Sequence, residues 1–70
     1  MSKFVVVWEC DNGSTPICTG YGQLTDGEIE TLRETVEKYS PYDYASVDTY
    51  TQQHYDALKE ISKEWKEGKL

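Results

Sequence analysis

The stretch Lys3-Phe4-Val5-Val6-Val7-Trp8-Glu9-Cys10, followed by Asp11-Asn12-Gly13-Ser14, decides the fold. Its β-branched and aromatic residues favour an extended backbone, and an Asn-Gly pair next to such a run is a strong hairpin signal. Apolar side chains point both ways along it, with Phe4, Val6 and Trp8 on one face and Val5 and Val7 on the other. That pattern belongs to a central strand, or to one covered on two sides. The return arm begins at Thr15 and extends to Thr19 or slightly beyond. It holds Pro16, which cannot donate a ladder hydrogen bond, and leads into Gly20 and Gly22, so an edge strand is expected.

Working outward, Thr25-Asp26-Gly27-Glu28 has the spacing of a capping box, in which a hydroxyl and a carboxylate satisfy each other's backbone amides at a helix start. A helix is predicted over 26–39, with Ile29, Leu32, Val36 and Tyr39 as its buried stripe. Pro41 ends it by excluding the helical conformation from Ser40. Residues 45–50 alternate enough to form a short third strand. A second helix is predicted from Thr51 to about Gly68, with Tyr55, Leu58, Ile61 and Trp65 on one face. The expected architecture is a single α+β domain over 1–70, a small two-layer sandwich of ββαβα order. In it an N-terminal hairpin and a short third strand carry two helices on one face. That arrangement leaves Val5 and Val7 uncovered, as a sheet-face dimer contact or beneath long side chains.

Seventy residues allow one small core and leave no room for a second lobe. Thirteen acidic residues against seven basic ones give a net charge of −6, which argues against binding a phosphate backbone or an anionic membrane. The short apolar run after Lys3 is below the length of a signal-peptide core or a membrane span, so a cytoplasmic protein is expected. With a two-residue Asn12-Gly13 turn, Trp8 faces Ile17 and Val7 faces Cys18, which puts Cys10 and Cys18 on opposite faces. A three-residue loop brings the two thiols to one face, but only diagonally. Two free cysteines are expected either way.

Residues 26–50 hold seven acids against two bases, a formal charge of −5, whereas the last twenty residues hold four of each. At about 100° per residue, Asp26, Glu30, Glu34 and Glu37 fall within a sector of roughly 80° beside the apolar stripe. Glu30 and Glu34 form a like-charge pair at i, i+4, which costs a helix a few tenths of a kcal/mol. The plain alternative is a solvated face rich in Glu for its helix propensity. Carboxylates one turn apart lie about 6 Å from each other, near the spacing of successive phosphates on a nucleic-acid strand. Tyr42, Asp43, Tyr44, Asp48 and Tyr50 follow, mixing aromatic contact area with anionic anchors as protein interfaces do. One or two of these rings serve equally well to roof the core.

In size, charge and this ridge of Asp26, Glu30, Glu34 and Glu37, with Asp43 and Asp48 following, the chain resembles the small acidic bacteriophage host-takeover proteins of the DNA-mimic type. The resemblance implies an inhibitor or regulator in the host cytoplasm that occupies the basic, DNA-binding surface of a host protein such as a nucleoid protein. Asp26, Glu30, Glu34, Glu37, Asp43, Asp48, Tyr42 and Tyr44 would then form the partner-binding site, with no direct contact to nucleic acid. The competing reading is a structural or assembly subunit that forms a homodimer through Val5 and Val7.

Chemistry has little to draw on. His54 shares a helical face with Leu58 and Ile61 and is expected in the first turn as a core or cap residue. Cys10, Cys18 and His54 lack metal-ligand spacing, so no metal or other cofactor is expected. Thr19-Gly20-Tyr21-Gly22 lacks the Gly-Lys-Ser/Thr that would make it a phosphate loop. The acids share one exposed ridge instead of facing each other across a cleft, so no enzyme is expected.

Overall fold

A strand that is apolar on both sides needs cover on both sides, and the computed structural model, which describes residues 2–70, supplies it. The elements in chain order are β1 (Lys3–Cys10), β2 (Ile17–Leu24), α1 (Asp26–Tyr39), β3 (Tyr44–Tyr50), α2 (Gln52–Ile61) and β4 (Trp65–Glu67). They form a small α+β fold with a four-stranded sheet in the order β3-β1-β2-β4. β1 runs antiparallel to both β2 and β3, and β4 runs parallel to β2.

The α+β class and the ββαβα succession stand, extended by one short strand. The two helices, however, are divided between the faces of the sheet. Val5 and Val7 pack with Leu24, Ile29 and Leu32 beneath α1, and Tyr21, Val36 and Val47 close the edges of that cluster. Val6 packs on the other side with Cys18 and Tyr55, framed by Phe4, Trp8, Tyr50, Leu58 and Trp65 beneath α2. The expectation of both helices on one face is therefore corrected, and with it the dimer contact. Val5 is 0% and Val7 1% exposed, so neither can meet a second molecule.

The hairpin turn departs from a two-residue loop for a backbone reason. Gly13 has φ +86°, while no non-glycine residue among those described has positive φ, so Asn12 does not adopt the left-handed conformation that a type I′ turn requires. The turn closes with Ser14 N–H donating to the Asp11 carbonyl (3.0 Å), and the ladder starts later, with Glu9 opposite Ile17 and Trp8 opposite Cys18. Pro16 thus lies outside the ladder, and β2 continues through both glycines to Leu24. A bulge places Val5 opposite Gly22 but Val6 opposite Gly20, with Tyr21 as the extra residue. Gly22 has φ +69°, which suits a bulge position. By shifting the alternation, the bulge lets Tyr21 and Leu24 reach the same core although they lie three residues apart.

β2 is also not an edge. Cys18, Thr19 and Gly20 pair with Trp65, Lys66 and Glu67 of β4, and Cys18 N–H donates to the Glu64 carbonyl at 2.8 Å. The C-terminal segment is free to do this because α2 stops at Ile61, capped by Ser62 N–H on the Leu58 carbonyl (3.0 Å). The predicted continuation to Gly68 is overridden by packing. As a strand residue, Trp65 stands edge-on to Tyr55 (ring centroids 5.4 Å apart) in space that Gly20 leaves open, since a Cβ on Gly20 would run into the Trp65 ring and the Tyr55 hydroxyl. Ile61, assigned to the buried stripe, is 74% exposed. α1 keeps its predicted bounds, and both hydrogen bonds of its capping box form, from Thr25 N–H to Glu28 Oε1 (2.9 Å) and from Glu28 N–H to Thr25 Oγ1 (3.3 Å). Tyr39 alone leaves the α1 stripe, at 68% exposure.

Candidate functional site

The capping box fixes where α1 starts and hence which side of it the acids occupy. Asp26, Glu30, Glu34 and Glu37 are all exposed and share one flank of the helix. The opposite flank carries Glu28, Thr31 and Thr35, which with Tyr21, Leu32 and Lys69 line an open hollow of about 620 Å³ towards β2. The ridge therefore lies towards the β3 side of the sheet. Its charge is uneven. Lys3 reaches Asp26 at 3.8 Å, and Arg33 donates to Glu30 Oε1 at 3.0 Å, so the first two positions are partly neutralised. Glu34 and Glu37 have no cation within ion-pair distance among the described residues. Glu28 belongs to the cap instead, and the Thr25 backbone amide and hydroxyl hold its carboxyl below its ordinary range.

The rest of the expected site lies elsewhere. Asp48 is opposite Val6 and Tyr44 opposite Cys10, so both project from the α2 face, across the sheet from the ridge. Asp48 Oδ2 accepts from the Ser46 hydroxyl at 3.2 Å, and Tyr44 is 61% exposed. Asp43 ties the loop after α1 to the hairpin turn. Its N–H donates to Asp11 Oδ1 (3.2 Å), and its own Oδ2 accepts from Asn12 N–H (3.3 Å). Tyr42 is half-buried, with its N–H on Ser40 Oγ, whose hydroxyl donates to Glu9 Oε2 at 2.8 Å. The eight residues thus separate into the α1 ridge, a loop clasp and the α2-facing side of β3.

The reading of residue types missed the grooves on the α2 face. Trp8, Cys10, Pro16, Tyr44 and Ser46 line one of about 340 Å³, and Trp8, Pro16, Leu58 and Ile61 line another of about 240 Å³. The available signal was Trp8 and Pro16 on facing arms of the hairpin, but using it requires the strand register. The Trp8 indole N–H donates to the Tyr50 hydroxyl at 2.8 Å, which fixes the ring between the two grooves. His54 is exposed and not a core residue. It stands edge-on to Tyr50 with centroids 4.9 Å apart, and its N–H donates to the Thr51 cap.

Cys10 is half-buried, Cys18 is buried, and both are free. Among the described residues no three His, Cys, Asp or Glu side chains gather in a metal-binding group, and no helix is long and apolar enough to cross a membrane. Comparison with protein-family models, with curated proteins and with solved structures finds no match. Any functional reading therefore rests on the surface itself.

Proposed function

We propose that the chain is a small acidic binding protein whose α1 ridge occupies a basic surface of a partner, in competition with nucleic acid, acting as an inhibitor or regulator and not as an enzyme. The observation that carries this reading is the pair Glu34 and Glu37, exposed at the C-terminal half of α1 with no cation paired to them among the described residues. Uncompensated carboxylates on one flank project a one-signed field that steers a cationic partner, and they require no desolvation until it arrives. Asp26 and Glu30 extend the ridge at lower effective charge. Asp48 and Tyr44, across the sheet, take no part in the same contact.

The test uses the full chain, immobilised, with a purified basic nucleoid protein as probe and duplex DNA as competitor. Capture at low salt, release at high salt and displacement by DNA are expected. Replacing Glu30, Glu34 and Glu37 together by Lys removes three exposed ion pairs worth about 0.2–1 kcal/mol each, so binding should weaken by roughly 3- to 150-fold. A triple variant that binds as well as the parent would sink the reading, and so would a complex indifferent to salt.

A further inference from the structure

The two edges of the sheet are guarded very differently. β4 is three residues long and carries Lys66, which is how natural edges avoid chance pairing. β3 is seven residues long and contains no Pro, Gly or Lys; it is the terminal strand of the sheet, with no strand on its outer side among the described residues. Its sequence, Tyr44-Ala45-Ser46-Val47-Asp48-Thr49-Tyr50, has Val47 at its centre, a tyrosine at each end and short side chains between. We infer that β3 is a self-association edge, pairing antiparallel with β3 of a second copy across a two-fold axis at Val47 to make one continuous eight-stranded sheet.

A two-fold perpendicular to the sheet matches each residue with one on the same face, and centring it on Val47 is the register that pairs all seven. Tyr44 then meets Tyr50 of the other copy, Ala45 meets Thr49, Val47 meets itself, and Ser46 meets Asp48. The single charge on the edge lies opposite a hydroxyl, of the kind it already accepts from at 3.2 Å within its own strand. Moving the axis to Asp48 would set two carboxylates face to face. The aromatic pair covers Tyr44, which at 61% exposure is among the most exposed large apolar side chains of the molecule. On the opposite face α1 packs over β3 with its acidic flank on that side, so the two ridges approach each other in the pair. Salt should therefore strengthen self-association, the reverse of its effect on a basic partner.

Sedimentation equilibrium of the full chain, from low to high salt, is expected to show a monomer–dimer equilibrium that shifts towards dimer as salt rises. Ser46→Asp places like charges opposite each other twice per dimer and should weaken it by roughly 2- to 30-fold. The doubly changed Ser46→Asp/Asp48→Ser restores both the pairing and the net charge, and should return the dimer to parental strength. Gln23→Glu adds the same charge on exposed β2, away from the edge, and controls for net repulsion. Circular dichroism confirms that each variant is folded, which these exposed positions favour. A chain that stays monomeric at millimolar concentration in high salt overturns the inference. So does a dimer that Ser46→Asp weakens no more than Gln23→Glu, because its interface would then lie elsewhere.

Discussion

The two faces of the sheet are closed by different chemistry. Beneath α1 the seal is mostly aliphatic, with Val5, Val7, Leu24, Ile29 and Leu32 all buried. Beneath α2 only Val6, Cys18 and Tyr55 are buried, and the rest of the cluster is half-exposed and largely aromatic. Those rings are held at their polar edges. Trp8 donates to Tyr50 (2.8 Å), Gly22 N–H donates to the Tyr55 hydroxyl (3.1 Å), and the Trp65 indole N–H donates to Glu67 (3.1 Å). An aliphatic core gains from being shut, whereas amphipathic rings tolerate an open surface with one end in water. The difference explains why the two grooves beside Trp8 and the exposed Tyr44 lie on the α2 side, whereas the hollow beside α1 is rimmed by the polar Glu28, Thr31, Thr35 and Lys69 at the border of its aliphatic seal.

If that contrast is right, equal truncations on the two faces should cost unequal amounts. Leu32→Ala removes a buried side chain that its neighbours cannot replace, at about 2–5 kcal/mol. Against the roughly 3.5–10 kcal/mol available to a chain of this length, that is a substantial share of the whole. Leu58→Ala, at a half-buried position on the α2 face, should cost less than half as much, because solvent and the neighbouring rings can fill the space. Urea unfolding of both variants checks this, and equal losses would erase the distinction between a sealed and an open face.

The same contrast explains what could be read from residues alone. α1 was legible because its signals are local: Thr25 and Glu28 cap it, Pro41 ends it and the apolar spacing is helical. The triple valine also demands cover on two sides, which two helices on one face cannot supply. α2 was overrun because Trp65 sits at helical spacing from Ile61 and no Pro or Gly intervenes; only the vacancy beside Gly20, a long-range fact, draws it into β4. The ridge was visible on a helical projection, and Arg33 at i+3 from Glu30 could have been counted against it. Lys3 on Asp26 could not, since that pair spans the fold. The separation of Asp48 and Tyr44 from the ridge depends on how β3 pairs with β1, a long-range register that no local signal announces.

A smaller effect probes how the aromatic side is seated. Gly20→Ala would push a methyl into the Trp65 ring and the Tyr55 hydroxyl, so α2 or β4 must give way. The expected cost is about 1–3 kcal/mol, with a shift in tryptophan emission as Trp65 moves towards solvent. Unchanged emission together with parental stability would mean that β4 is not held by these contacts.

The smallest effect distinguishes the local anchor of α1 from the long-range anchor between α2 and β4. Hydrogen bonds from Thr25 hold Glu28 below its ordinary value, so its contribution is complete above the unfolded carboxyl range and fades as pH falls through the depressed folded value. Glu67 behaves in the same way, lowered by the Trp65 indole first and then by Lys59, which it meets at 3.1 Å. Lys59 is raised by that hydrogen bond and charge, so its share is complete below the unfolded lysine range and fades as pH rises through the raised folded value. Tyr21, raised by burial and then by Glu9, also weakens the fold on the alkaline side. Glu28→Gln, which can still cap the helix, should therefore flatten only the acid limb of the stability profile. Glu67→Gln should flatten both limbs, leaving the Tyr21 part of the alkaline one. Thermal melts across acid and alkaline pH read this directly, and an alkaline limb untouched by Glu67→Gln would show that the Lys59 contact does not help to fasten α2 to β4.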